Sequence, residues 1–346
     1  MEAHDLQTWA NQVLKAILTL STTVTSSPPD FQAGDSTNFS LSRFPYDDPF
    51  ESLGEHWSPI YKFFLGTDSR PHGFILKTIV HKMPWTDDFK VNHEAKTVHL
   101  SPADGSASPS VSYTTALSKL VQKAIDEDTF SAIHGQHSEP YPIVGANFPV
   151  SVERYASNLL GIISRGAHLT IYTNTPEGMK IWVPRRSPSL FTYPNCLDTT
   201  VAGGVAAGEG PFECIVREAE EEASISEQLV RTDTVACGCL TYVGQHGAGD
   251  GGEGGLLAPN IIYVYDLEVG VDIVCRQNDE EVKEFYLMTV KEVKEALFRG
   301  EFKTNSAVVM IDFFIRHGII AAENEKYYTE IMARMHRRLP FPTAPE

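Results

Sequence analysis

Glu218, Glu221 and Glu222 recur at i, i+3 and i+4, a spacing that places three carboxylates on one face of a helix. Like charges so close repel, and each such pair costs roughly a few tenths of a kcal/mol in an isolated helix. A solvated acidic face is the ordinary meaning of a glutamate run. The alternative is a cation held between the carboxylates. Oxygen donors without sulfur or imidazole suit a hard ion such as Mg²⁺ or Mn²⁺.

The surrounding segment, Gly203 to Ile225 (GGVAAGEGPFECIVREAEEEASI), supplies what would position such a cluster. Gly203, Gly204 and Gly208 allow a tight turn ahead of a helix. Pro211 suits the first helical turn. Six carboxylates and one arginine, Arg217, give the segment a local charge of −5. A merely solvated face needs neither the glycine turn nor the arginine, so the cation-binding reading is favoured.

The whole chain has 346 residues, a formal charge of −17 from 45 acidic and 28 basic residues, and a hydrophobic content of 42%. That length suggests two domains, and the apolar fraction is enough for packed cores. The negative field disfavours nucleic acid as a partner. It also means that a phosphate substrate needs a metal and local arginine or lysine. The cysteines Cys196, Cys214, Cys237, Cys239 and Cys275 lack zinc spacing and read as reduced structural thiols. Cys237 and Cys239 fit a strand with both thiols on the same side. No apolar run approaches the length of a membrane span. The first residues carry Glu2 and Asp5 without a basic leader, so a cytoplasmic location is expected.

Along the chain, residues 1–40 read as an amphipathic helix, Leu6 to Leu20, followed by a Ser/Thr/Pro-rich linker. Residues 41–150 suggest an α+β domain. It has strands over Phe74–Val80 and Lys96–Leu100, and a helix over Ser112–Phe130 with Ala116, Leu117, Leu120, Val121 and Ala124 on one side. Residues 151–340 form a third segment. Strands are expected over His168–Tyr172, Lys180–Val183, Thr234–Val243, Asn260–Leu267 and Lys283–Met288, with a turn at Pro176–Gly178. Pro184 to Ser187 reads as a loop, and the glycine-rich stretch His246 to Gly255 as a flexible one. Helices are expected over Thr289–Arg299, Asn305–His317 and Glu323–Arg338. Strands and helices intermixed without regular βαβ alternation predict a mixed β-sheet flanked by helices.

The order of Gly203, five residues, Glu209, seven residues, then Arg217-Glu218-Ala219-Glu220-Glu221-Glu222-Ala223-Ser224-Ile225 resembles the Nudix box. Only Ser224 departs, where glycine is usual. A left-handed C-cap favours glycine there, and serine costs about 1 kcal/mol of local fit without removing a ligand. The segments Trp182–Ser187, Leu197–Gly204 and Ile311–Gly318 narrow the likeness to a fungal and plant branch. That branch includes the Nudix portion of thiamine-pyrophosphokinase-related proteins, which carry an extra N-terminal domain. Leu190 stands near where that branch tends to have a lysine, which removes one expected phosphate contact. Asn195 replaces a glycine, a mild change because asparagine tolerates a left-handed turn.

The resemblance implies a Nudix-type α/β/α sandwich with an additional N-terminal α+β domain, and a metal-dependent hydrolase of a small-molecule diphosphate. It implies Mg²⁺, with Mn²⁺ as the other option, held by Glu218, Glu221 and Glu222, and a structural role for Gly203, Glu209 and Arg217. The Arg217 position pairs with the Glu209 position. The catalytic carboxylates are sought among Glu221, Glu222 and Glu281, the last in a loop near the end of the sheet. Arg185 and Arg186 are candidates for binding the diphosphate, but adjacent strand residues point opposite ways, so at most one should reach it. His168, Trp182 and Trp85 read as core residues rather than ligands. The branch suggests thiamine diphosphate and its damaged oxothiamine and oxythiamine forms as substrates, a metabolite-repair role. The competing readings are a nucleoside diphosphate derivative, such as ADP-ribose or a dinucleotide, and a non-catalytic Nudix binding module.

Overall fold

The computed structural model describes residues 60–102, 108–133, 139–246 and 252–346. The helix expected over Leu6–Leu20, the linker to residue 40 and residues 247–251 of the glycine-rich stretch lie outside these residues. Among the described residues no helix is long and apolar enough to cross a membrane, and the five cysteines are all unpaired thiols.

The first sheet comprises β1 (Ile60–Leu65), β2 (Gly73–Leu76), β3 (Phe89–Asn92) and β4 (Thr97–Leu100), in the order β2-β1-β4-β3. Strands β1 and β4 are parallel, and the other neighbours are antiparallel. Helix α1 (Lys77–Lys82) follows β2 directly, and α2 (Pro109–Asp126) covers the sheet. The stripe Ala116, Leu117, Leu120, Val121 and Ala124 is buried as its spacing predicts, packing with Phe63, Val98 and Leu100. The strand expected across Phe74–Val80 stops at Leu76. Ile79 and Val80 are neighbours that bury together, which one helical stripe allows and a period-2 strand would split between faces.

A short hairpin of β5 (Pro140–Pro142) and β6 (Ser151–Glu153) leads into α3 (Arg154–Leu159). The hairpin straddles residue 150, and Val152, Ala156, Leu159 and Ile162 pack into the first core. Beyond it, the Phe74 N–H donates to the Gly161 carbonyl at 3.2 Å. Gly161 has φ +59°, and a Cβ there would collide with the Phe74 backbone, so both the conformation and the approach require glycine.

The second sheet has six strands. They are β7 (Ser164–Thr175), β8 (Gly178–Arg186), β9 (Val201–Gly204), β10 (Val235–Gln245), β11 (Leu257–Glu268) and β12 (Val282–Thr289). Their order is β10-β11-β7-β8-β12, with β9 also paired to β7. Only the β11–β7 pair is parallel among them, so the sheet is mixed. Alternation divides each strand between two cores. Ile181, Val183, Ile262 and Val264 face one side, with α6 (Val290–Phe298), α7 (Thr304–Arg316) and α8 (Tyr328–Met335) over them. Leu169, Ile171, Trp182 and Leu267 face the other, under α4 (Pro211–Ala223) and α5 (Glu227–Asp233). The result is an α/β/α sandwich joined to an α+β unit, the class expected.

Three local readings are corrected. Pro184 and both arginines lie within β8, not in a loop. Pro184 has no N–H to offer, but its carbonyl accepts from Asp198 N–H at 3.0 Å, and a bulge in β12 lies beside it. The final helix runs only from Tyr328 to Met335. Between Ala236 and Cys239 a bulge with Gly238 at φ +103° breaks the alternation expected of Cys237 and Cys239.

Candidate active site

The glutamate helix α4 opens with Pro211 at its first turn, where a missing N–H leaves nothing unsatisfied. Before it, β9 ends on Gly203 and Gly204, each needed for close approach. A Cβ on Gly203 would lie 2.5 Å from Glu218 Oε1 and 2.7 Å from Cys214 Sγ, and one on Gly204 would collide with the Tyr141 hydroxyl. Gly203→Ala is therefore expected to destabilise the fold by about 1–3 kcal/mol through overpacking, read as a lowered urea midpoint, and to displace Glu218, read as a loss of turnover.

Helix α4 ends at Ser224 with φ +56° and ψ +33°, the left-handed C-cap expected there. The Ser224 hydroxyl donates to the Arg276 carbonyl at 3.0 Å. Glycine would relieve the strained backbone but lose that bond and loosen the unfolded chain. These terms oppose each other, and Ser224→Gly should shift unfolding free energy by no more than about 1 kcal/mol. Chemical denaturation of the two proteins checks this.

Arg217 gathers the acidic side chains. Its Nε donates to Glu209 Oε1 at 3.1 Å, and its Nη1 lies 2.9 Å from both Glu218 Oε1 and Glu221 Oε2. Glu209 also accepts the Ala206 N–H at 3.3 Å, which braces the glycine loop against the helix. Glu222 is buried and instead accepts the Ala202 N–H of β9 at 3.0 Å. Thus two of the three expected ligands meet on a guanidinium and the third sits below them. Among the described residues, no three carboxylate, imidazole or thiol groups already converge on one cation position. Arg217 partly answers the repulsion that the spacing implied.

It does not answer it fully. Burial lifts the Glu218 carboxyl to about 7, opposed by Arg217 and reinforced by the charges of Glu221 and Glu281. Burial likewise holds Glu222 well above the usual carboxylate range, with Glu218 the next cause. Glu281 is exposed in the loop before β12, yet its charge reaches both Glu218 and Glu222. Its backbone carbonyl accepts the Ser187 N–H at 2.7 Å, which ties that loop to the end of β8.

The two arginines diverge as alternation requires. Arg185 turns toward Tyr286, the Asn195 carbonyl at 2.8 Å and Glu301 at 3.8 Å. Arg186 turns the other way, to Asp198 at 3.1 Å and the carbonyls of Thr192 and Tyr193. The charge of Asp198 acts on Glu222, and Arg186 is the arginine paired with Asp198.

Sequence reasoning missed Asp198 and Lys303. Asp198 is buried and pairs with Arg186 and with Lys303 at 3.4 Å, while Ser306 donates its hydroxyl to the carboxylate. Burial alone would raise its carboxyl, but Lys303 and Arg186 more than reverse this and hold it well below the usual range. Burial lowers Lys303 in turn, against the pull of Asp198. The 105-residue separation of the Asp198–Lys303 pair left no local pattern to find. His168 is buried at 2.7 Å from Thr199 Oγ1, and burial drives its imidazole down to about 3, so it is neutral core as expected. Trp182 is buried in the sheet, and Trp85 donates its indole N–H to the Val80 carbonyl at 2.9 Å.

The first unit also borders this site. Pro140 accepts the Ala207 N–H at 2.9 Å, so β5 clamps the glycine loop. Arg154, first residue of α3, lies over the rings of Tyr141 at 5.4 Å and Tyr155 at 5.9 Å and pairs with Glu139 at 3.1 Å.

The NUDIX domain family matches residues 165–307, which run from β7 through the glutamate helix into α7. Over 212 residues the chain is 34% identical to Nudix hydrolase 20, chloroplastic, of Arabidopsis thaliana, covering 60% of this chain and 54% of that protein. The chain belongs to the Nudix hydrolases. Nudix hydrolase 24, chloroplastic, of the same plant is 33% identical over 199 residues, or 56% of this chain and 52% of its own length. The chain thus spans about half of each plant relative. An uncharacterized protein of Saccharomyces cerevisiae is similar over more of the chain, at 34% identity across 309 residues, 85% of this chain and 88% of the yeast one.

This Nudix hydrolase has a donor set that fits the divalent metal such enzymes generally use. The glutamates offer oxygen only, and two of them are desolvated and hold raised carboxyls even with Arg217 present. A bound divalent cation would answer that unmet negative charge.

Proposed function

We propose that this Nudix hydrolase cleaves the diphosphate of thiamine diphosphate and of its oxothiamine and oxythiamine forms, giving the monophosphate and inorganic phosphate. The observation that carries the diphosphate part is the opposition of charges. Half-buried Glu218 and buried Glu222 carry the acidic charge, and Asp198, whose charge reaches Glu222, holds Arg186 at 3.1 Å and Lys303 at 3.4 Å. The thiamine part is carried by the branch resemblance alone.

Glu218, Glu221 and Glu222 would hold a divalent cation, Mg²⁺ or Mn²⁺. When bound, that ion neutralises phosphoryl oxygens and makes a water easier to deprotonate. Glu218 and Glu221 would exchange Arg217 for it, while Arg217 keeps its hold on Glu209 and the loop. Arg186 and Lys303 attract the phosphoryl oxygens. Glu281 is the carboxylate best placed to take a proton from the attacking water. It is exposed and its charge reaches Glu218 and Glu222, whereas Glu221 is bonded to Arg217 and Glu222 to the backbone. Water adds to one phosphorus as the bridging oxygen leaves on the other, and the proton passes to the carboxylate.

The test is phosphate release from a panel of diphosphates with Mg²⁺ and with Mn²⁺. The expected result is turnover that chelator abolishes and either ion restores, with the thiamine-type diphosphates preferred. A preference for ADP-ribose or a dinucleotide would replace the substrate and keep the site. No turnover of any diphosphate would favour a binding module.

A further inference from the structure

We propose that Tyr141, carried by the first unit, is a positioning residue of the hydrolase site, one that backs the glycine turn and thereby sets the place of Glu218. The proposal deepens the hydrolase reading above and rests on Glu218 as a metal ligand. Strand β9 ends on two glycines in a row, Gly203 and Gly204. Successive strand residues face opposite ways, and the two glycines meet different partners. Gly203 faces helix α4, where a Cβ would lie 2.6 Å from Glu218 Cγ and 2.7 Å from Cys214 Sγ. Gly204 faces the Tyr141 hydroxyl, and a Cβ there would lie 2.8 Å from the ring carbon that bears it. The end of β9 is therefore held between α4 and Tyr141 with no side chain of its own to yield.

The surroundings of Tyr141 make it a firm wall. It is 4% exposed and lies on β5 between Pro140 and Pro142, whose rings restrict the backbone on either side. Opposite it on β6 stands Val152, which packs in the first core. The Arg154 guanidinium lies 5.4 Å from the centre of the tyrosine ring and is itself tied to Glu139 at 3.1 Å. Because the Pro140 carbonyl accepts the Ala207 N–H at 2.9 Å, β5 meets the turn at two points. From α4, Cys214 Sγ lies 3.4 Å from the Gly204 carbonyl and holds the same residue. A contact that merely filled space between the units would end on side chains, which can change rotamer. This one ends on bare backbone, next to the glycine against which Glu218 rests. Withdrawing Tyr141 frees the turn to retreat, and the Glu218 carboxylate loses the support that aims it.

The test measures Mn²⁺ binding by titration calorimetry in the parent, Tyr141→Phe, Tyr141→Leu and Leu117→Ala, with folded fractions taken from urea denaturation. Tyr141→Leu withdraws the whole wall, and the dissociation constant for Mn²⁺ should rise about tenfold. The Mn²⁺ concentration for half-maximal phosphate release should rise by the same factor. Tyr141→Phe removes only the hydroxyl and should give a smaller rise in the same direction. Leu117→Ala opens a hole in the first core, and it should lower the urea midpoint while leaving the Mn²⁺ affinity of the folded protein within about twofold. Unchanged affinity in Tyr141→Leu overturns the positioning role; if that variant does not fold, Tyr141→Phe decides by the same rule. An equal loss of affinity in Leu117→Ala also overturns it, as the sign of a general loosening of the first unit. A parent that binds no Mn²⁺ removes Glu218 as a ligand and the positioning role with it. A parent that binds Mn²⁺ but releases phosphate from no diphosphate removes the hydrolase reading alone.

Discussion

Glu222→Gln should lower kcat/KM for the preferred diphosphate by about 10³-fold while leaving the fold intact. Glutamine has the same shape, and its carbonyl oxygen can still accept the Ala202 N–H that Glu222 accepts at 3.0 Å. What it lacks is the charge. In the protein without a divalent ion that charge is unfavourable, because burial and Glu218 both work against it. The urea midpoint measured in chelator should therefore be no lower than that of the parent, and Mg²⁺ should raise the parent's midpoint more than the variant's. A purely structural glutamate would give the opposite pair of results, lost stability and unchanged catalysis per folded molecule.

Asp198→Asn is expected to cost about 3–5 kcal/mol of folding stability, the range for breaking one side of a buried ion pair. Asp198 is 3% exposed and serves Arg186, Lys303, Ser306 and its neighbour Thr199 N–H at the same time. Asparagine would leave two cations near each other with their shared counter-charge gone. If the loss is that of an abandoned charge, Asp198→Asn combined with Lys303→Met should be more stable than the sum of the single changes predicts. Urea denaturation of the four proteins measures this coupling, and strict additivity would show that Lys303 is not the partner that matters.

The glutamate helix was legible because its information is local. A glycine turn, a proline at the first helical position and carboxylates at helical spacing all lie within one short segment, and Arg217 to Glu209 closes as expected at 3.1 Å. The alternating strands of the second sheet were legible for the same reason. Pro184 was misread because proline usually ends a strand, and only the tertiary setting, with Asp198 and the β12 bulge beside it, lets it remain. The Phe74–Val80 stretch was misread because a short apolar run fits either period, and packing of Ile79 and Val80 into one core decides between them. Asp198 and Lys303 were invisible as a pair because they meet across 105 residues of chain. The first unit's place beside the glycine loop, through Pro140 and Tyr141, could not be read from spacing at all.

The most direct test of the central claim is Mn²⁺ binding, followed by titration calorimetry in the presence of inorganic diphosphate. The comparison is between the parent protein and one carrying Glu218→Gln, Glu221→Gln and Glu222→Gln together. The account predicts saturable binding by the parent and none by the triple variant at the same concentrations, with both chains folded by circular dichroism. Equal binding by the two would mean that these glutamates do not hold the metal and that the site lies elsewhere.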